Sequence, residues 1–169
     1  RYYYYTGGYQ YCSPVLDSTD KIVLMNGSYY RIYVVTDTGS GFTASYYNMP
    51  SSSYRGYYGS PAIYDYEDGS FEIFWSGYYY ICHVSWTGSG FSNFWSYYTS
   101  SYGYYDTPCV DANGYVFVGS DTDEVRCLTP SGSIVWTSPY WYDVKSVSLS
   151  DDGYLYCMDQ NRYLHKVGP

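Results

Sequence analysis

Residues Asn113 to Trp136 read NGYVFVGSDTDEVRCLTPSGSIVW, and this stretch decides the fold. Apolar and polar residues alternate in YVFVG, so its two faces differ in character, as in a half-buried strand. Including PCVDA just before it, the region divides into four short runs: PCVDA, GYVFVGS, EVRCLT and SIVWTS. The connections DANG, SDTD and TPSG are made of Asp, Asn, Gly and Pro, the residues that favour tight turns. No stretch carries a helical period with caps. The region therefore predicts a four-stranded antiparallel meander.

The same plan recurs along the chain. SPVLDSTDKIVLM opens at Ser13, SPAIYDYEDGSFEIFW at Ser60, TPCVDANGYVFVG at Thr107 and SVSLSDDGYLYCM at Ser146, with starts 47, 47 and 39 residues apart. Each opens on a hydroxyl residue followed by Pro or Val, then reaches an acidic or polar turn and an alternating strand. A second landmark lies between them: TGSGFTASYY from Thr38, TGSGFSNFWS from Thr87 and PSGSIVWTSP from Pro130. A four-stranded unit repeated every 40 to 47 residues is the mark of a β-propeller blade. The expectation is an all-β propeller of about four blades in a single domain spanning 1–169. Its blades are 13–59, 60–106 and 107–145, with 146–169 supplying three strands of a fourth.

The hydroxyl-Pro opening, the second strand of form DG-x-[LVF]-[YF] and the Gly turn before a Trp resemble pyrroloquinoline-quinone-type propeller repeats. NGYVFVGSDTDEVRCLTPSGSIVW and DDGYLYCMDQNRYLHKVGP carry the resemblance most clearly. It covers nearly the whole chain, and its motifs speak to architecture, not chemistry. In such repeats a fourth strand ending W-x-Y-x-T-G-G runs into the next Ser-Pro. The opening RYYYYTGGYQYCSP matches that tail, which makes 1–12 an orphan fourth strand. Residues 1–6 are thus expected to complete the blade begun at Ser146, which lacks its fourth strand. Tyr2, Tyr3, Tyr4 and Tyr5 would meet Tyr163 and His165 there. Three geometries follow: a closed four-bladed ring, a ring or filament in which a neighbouring chain supplies the strand, and a fragment of a larger propeller.

Composition narrows the function. The net charge is −8 with only eight Lys and Arg, which argues against nucleic acid and anionic membrane surfaces as partners. No run approaches 18 apolar residues, so no membrane insertion is expected. The start at Arg1, without Met or a signal-peptide pattern, suggests a processed, trimmed or partial chain. Five cysteines, Cys12, Cys82, Cys109, Cys127 and Cys157, form no CxxC pair. They read as small core residues with reduced thiols, with a Cys12–Cys109 disulfide as the alternative.

Sites of chemistry are scarce. The acidic turns at 65–69, 111–114 and 120–124 lack calcium-loop spacing and fall where hairpins need turns. His83 and His165 are the only histidines and suggest neither a metal site nor a catalytic triad. GSGF at Gly39 and Gly88 is a turn, since neither Lys nor a helix start follows. Asn26-Gly27-Ser28 is both a glycosylation sequon and a hairpin turn. The 30 tyrosines include adjacent pairs that would put one ring on each sheet face, with a hydroxyl and stacking area at low entropic cost.

The leading expectation is a non-catalytic, extracytoplasmic module that binds proteins or other copies of itself, extracellular or at the cell surface, with the periplasm as the alternative. The second is a carbohydrate-binding propeller using Trp86, Trp95 and Trp141 as sugar platforms. The third, which the resemblance invites, is a quinone-dependent dehydrogenase. The chain lacks the size of an eight-bladed enzyme and any grouping of acid, cation and stacking residues around a cofactor. No cofactor is expected.

Overall fold

The computed structural model describes residues 3–8, 12–56, 58–100, 107–120, 123–139, 141, 143–144 and 146–168. Its strands are β1 (Val15–Leu16), β2 (Lys21–Asn26), β3 (Arg31–Asp37), β4 (Phe42–Asn48), β5 (Ala62–Asp65), β6 (Phe71–Ser76), β7 (Tyr80–Trp86) and β8 (Phe91–Tyr98). They continue as β9 (Cys109–Val110), β10 (Val116–Ser120), β11 (Glu124–Leu128), β12 (Ile134–Thr137), β13 (Ser146–Leu149), β14 (Leu155–Met158) and β15 (Leu164–Val167). A single 3-10 turn at Ser52–Tyr54 is the only helical element among the described residues.

The strands form three four-stranded sheets, β1–β4, β5–β8 and β9–β12, and a three-stranded sheet β13–β15. Each is an antiparallel meander in sequence order. The first strands of successive sheets meet: β5 lies against β9 and β9 against β13. Thr107 and Ser146 pair there as a parallel bridge. The first strand of each sheet is therefore innermost and the last outermost. This is a β-propeller arrangement, as the repeat predicts.

The opening hydroxyls have a structural task. Ser60 Oγ accepts from the backbone N–H of Ser13 at 2.9 Å, and Thr107 Oγ1 from that of Ser60 at 3.1 Å. Each hydroxyl ties its blade to the preceding one near the axis.

Alternation supplies the core. On β2 and β3, Val23, Met25, Ile32 and Val34 face the second sheet, where Phe71, Ile73, Trp75 and Val84 meet them. The other face of the second sheet sends Phe74 and Ile81 against Val116, Val118 and Leu128. Val125, Leu155 and Cys157 fill the space between the third and fourth sheets. Large aromatics close the wide outer part of these wedges: Trp75 is fully buried and its Nε1 donates to Tyr54 O at 2.6 Å. Among the described residues no core cluster joins the first sheet to the last, so the blades form an open arc.

The opening segment differs from a paired strand in this chain. Residues 3–7 have no strand pairing, and β15 has no outer strand partner among the described residues. Instead, Tyr4 packs edge-on against Tyr33 at 6.3 Å, and Tyr33 donates from its hydroxyl to Thr6 O at 3.2 Å. The segment lies on the first blade, not on the fourth. Tyr2 falls outside the described residues.

Candidate interaction surface

Antiparallel meanders put the turns β1–β2 and β3–β4 of every blade at one rim. The β2–β3 turns and the blade-to-blade connections lie at the other. These two rims differ in chemistry. The first carries Asp17, Asp20, Asp65, Glu67, Asp68, Asp111, Asp151 and Asp152, with Lys21 among them. Several of these carboxylates hold their own turns. Asp17 Oδ1 accepts from the N–H groups of Thr19 and Lys21, and Asp111 Oδ1 from those of Asn113 and Tyr115. Such Asx turns explain the acidic residues without a bound cation. Among the described residues no three His, Cys, Asp or Glu side chains converge as a metal site.

The opposite rim is tyrosine-rich. Tyr29 stands in the β2–β3 turn, Tyr58 in the connection to the second blade, Tyr98 at the end of β8 and Tyr163 before β15, all exposed. Tyr3, Tyr4 and Tyr5 lie exposed beside it, next to the turn that follows Asn26. Arg31 sits 4.3 Å over the Tyr46 ring and 5.8 Å over that of Tyr29, a cation–π arrangement that stiffens the rim. Ser28, Ser51, Ser53 and Gly56 intersperse these rings. Rings with hydroxyls among small polar residues are the composition of protein-recognition surfaces.

The three tryptophans expected as platforms all pack against neighbouring side chains. Trp86 is 5% exposed and packs on Phe71 and Phe91. Trp95 stacks on His83 at 5.0 Å and 17°, donates from Nε1 to Pro130 O, and leaves so little room that a Cβ at Gly132 would sit 2.8 Å from its ring. Trp141 stacks on His165 at 4.4 Å and 12°. A sugar needs a free ring face, and each of the three rings has neighbours packed on it: Phe71 and Phe91 or His83 within the second blade, and His165 from the fourth. Asn26 is likewise turned inward, with 0% exposure. Its Nδ2 donates to Thr6 O and Gly7 O, and its Oδ1 accepts from Tyr29 N–H. The Asn-Gly turn is present, but its amide is a buried structural link and not an accessible glycan acceptor.

Both histidines pair with a carboxylate. His83 Nε2 lies 2.5 Å from Glu72 Oε2, which also accepts from Ser85 Oγ at 2.6 Å. His165 Nε2 lies 2.9 Å from Asp159 Oδ2. Burial pushes the Glu72 carboxyl up, but hydrogen bonds from His83, Ser85 and Tyr66 outweigh it and hold the group below its ordinary range. His165 thus serves the contact between the third and fourth blades through Trp141. Nothing in its surroundings shows a link to the opening tyrosines of the same chain. All five cysteines are free, so the Cys12–Cys109 disulfide is not formed. Burial, helped by Asp111, pushes the Cys109 thiol up to about 12 and that of Cys127 to about 11.

A groove of about 590 Å³ lies between the third and fourth blades and is lined by Asp111, Asn113, Phe117, Leu149 and Asp151. Ser150 also lines it, and its hydroxyl donates to Asp152 Oδ1. No helix of the described residues is long and apolar enough to cross a membrane.

No protein-family model matches the chain, and no curated protein matches its sequence. Solved structures match its fold. BBS1N in complex with ARL6DN superposes with a TM-score of 0.66 at 14% identity, over 92% of this chain and 50% of that one. A protein of unknown function from Bacteroides caccae gives 0.64 at 12%, over 97% of this chain and 62% of the other. Virginiamycin B lyase from Staphylococcus aureus gives 0.63 at 13%, over 92% and 54%. The chain thus spans between 50% and 62% of the length of these three structures. The fold they share with it is the β-propeller.

Proposed function

We propose that this chain is a non-catalytic propeller module that binds protein partners, other copies of itself among them, through its tyrosine rim. The observation that carries this reading is the gathering of the exposed Tyr29, Tyr58, Tyr98 and Tyr163 on one rim, which also holds Asp123, Asp143 and Asp159, while most of the turn carboxylates and the exposed Tyr66 stand on the other. Tyrosine supplies contact area and hydroxyls with little rotamer entropy to lose, and that rim also carries Arg31 and Arg55. BBS1N, a propeller of the same fold, is held in complex with ARL6DN, so the architecture is compatible with such a role. The same reading assigns the module to the outside of the cell or the periplasm and relates its repeats to the pyrroloquinoline-quinone type.

A test uses the chain as bait, identifies captured proteins by mass spectrometry, and measures the purified partner against two variants. Replacing Tyr29, Tyr98 and Tyr163 together by Ser should weaken binding at least tenfold. Replacing Asp20, Glu67 and Asp152 together by Asn should leave it within about twofold. Binding that survives the first change and fails with the second would reverse the assignment of the rims. Turnover of a small molecule abolished by one polar substitution would overturn the non-catalytic reading.

A further inference from the structure

A hollow of about 360 Å³ opens between the second and third blades, lined by Glu72, His83, Ser85, Asn93 and Trp95 and closed from the third blade by Pro130. A hollow of about 230 Å³ holds the equivalent place between the first and second blades, with Val34, Thr36 and Ala44 on its wall. The strand pairings set the correspondence. Thr36 faces Lys21 and Val34 faces Val23 on the first blade, as Ser85 faces Glu72 and His83 faces Phe74 on the second. Glu72, His83 and Asn93 thus stand where the repeat puts Lys21, Val34 and Ala44.

The fold does not ask for these polar groups, since the first blade fills the position of His83 with the buried Val34. His83 is buried too, and its Nδ1 has no hydrogen-bond partner. Burying such groups costs stability that an apolar residue in their place would not. A second departure accompanies them. Strands β3 and β4 pair without a break, Val34 facing Ser45 and Thr36 facing Thr43. On the second blade the register shifts: His83 faces Trp95 and Ser85 faces Ser92, so Asn93 and Phe94 both oppose Val84. This is a β-bulge, with Asn93 at φ +53°. Bulges re-aim side chains, and this one sets the exposed Asn93 on the wall of the hollow.

The polar atoms gathered there are acceptors. Glu72 Oε1 accepts from the hydroxyl of Tyr66, which also borders the hollow, at 3.1 Å. Glu72 Oε2 accepts from Ser85 Oγ at 2.6 Å and from His83 Nε2. Oε2 is thereby saturated, Oε1 keeps a lone pair, and the Tyr66 and Ser85 hydroxyls, having donated, can only accept. Asn93 adds an amide oxygen. These bonds keep Glu72 ionised at neutral pH, and none of them comes from a Lys or Arg. We infer that the hollow binds a primary ammonium group, whose three N–H donors meet Glu72 Oε1, the Tyr66 hydroxyl oxygen and the Asn93 amide oxygen. A guanidinium fits less well, because its fork needs both oxygens of one carboxylate and Oε2 is taken. The alkyl chain behind the ammonium lies against the exposed Tyr66 ring and the edge of Trp95. The amine is a lysine side chain or a free alkylamine. Tyr66 stands in the β5–β6 turn, on the rim opposite Tyr29 and Tyr98, so this site goes beyond the protein-binding reading and does not depend on it.

Calorimetric titration with pentylamine, which is protonated at neutral pH, tests it. Pentylguanidine should bind about tenfold more weakly, having lost one charged hydrogen bond. Glu72→Gln should weaken pentylamine binding by about tenfold for the same reason. Asn93→Gly removes the amide at a φ that glycine accepts and should weaken it about fivefold. Asn93→Asp adds a second carboxylate and should strengthen it about tenfold, a gain that a merely structural role for Asn93 would not produce. Circular dichroism should be unchanged in all three variants. Acetyl-lysine methylamide, blocked at both ends, separates the sources. Affinity equal to that of pentylamine assigns the site to a partner's lysine side chain, and pentylamine binding alone assigns it to a free amine; either result upholds ammonium recognition. Absence of pentylamine binding, pentylguanidine binding as tightly, or no gain with Asn93→Asp would each overturn the inference. Replacing Tyr29, Tyr98 and Tyr163 by Ser should leave pentylamine binding intact, so the hollow and the tyrosine rim stand or fall separately.

Discussion

The backbone N–H of Ser13 donates to Ser60 Oγ at 2.9 Å, joining two blades across 47 residues of chain. At the second and third blades the repeated hydroxyl is thus a repeated hydrogen bond. Thr107 does the same for Ser60.

Ser60→Ala and Thr107→Val should each lower stability by about 1 kcal/mol, the net worth of one such bond. Thr107→Ser keeps the acceptor and should cost less than half of that. Urea denaturation checks the series. A loss for Thr107→Ser with none for Thr107→Val would show that the methyl group matters and the hydroxyl does not.

Trp95 holds the second blade to the third. It stacks on His83 and bonds to Pro130 O, so Trp95→Ala removes both packing and a hydrogen bond. The expected loss is roughly 3 kcal/mol, read from thermal or urea unfolding. Trp95→Phe keeps the stack and should recover more than half. Oligosaccharide titration should give the same result for the parent and for Trp95→Phe.

Much of this architecture was legible in the sequence, because its period is local. Alternation in YVFVG and YLYCM marks strands whose faces differ, and the Gly turns at Gly39, Gly88 and Gly132 adopt positive φ. What could not be read depends on side chains brought together from distant segments. An exposed-looking Trp95 has a histidine on its face because His83 lies on the adjacent strand and Pro130 on the next blade. Asn26 carries a sequon, yet its amide caps the opening segment some twenty residues earlier. That Tyr29, Tyr58, Tyr98 and Tyr163 share one rim follows only once the meander direction is known. The opening stretch resembles a fourth strand, but resemblance does not say which blade, or which copy, it joins.

The cysteines should be quiet. Burial raises Cys109 to about 12, and Cys127 and Cys157 to about 11, so thiolate is scarce at pH 8. Native protein at pH 8 should react with a thiol reagent at least a hundredfold more slowly than model thiols at these three positions. Denaturation should release all five thiols. Rapid native labelling of Cys157, found by peptide mapping, would contradict the packing of the fourth blade on the third.

Glu72 gives a pH signature. Burial opposes its charge, but the bonds from His83, Ser85 and Tyr66 prevail and lower its pKa from the ordinary 4.5. A carboxyl depressed in the folded state contributes stability above its unfolded pKa and loses it as pH falls through the folded value. The contribution of Glu72 is therefore complete near neutrality and declines below about pH 4.5. Glu72→Gln keeps the shape but cannot carry the charge opposite His83. It should be less stable than the parent at pH 7, with the two urea midpoints converging as pH drops toward 3. Other depressed carboxyls, Asp65 and Asp159 among them, lower both proteins alike on acidification. The difference between the two curves isolates Glu72. A gap that stays constant from pH 7 to pH 3 would mean that the carboxylate acts only as a neutral acceptor, and that the pairing with His83 adds nothing through charge.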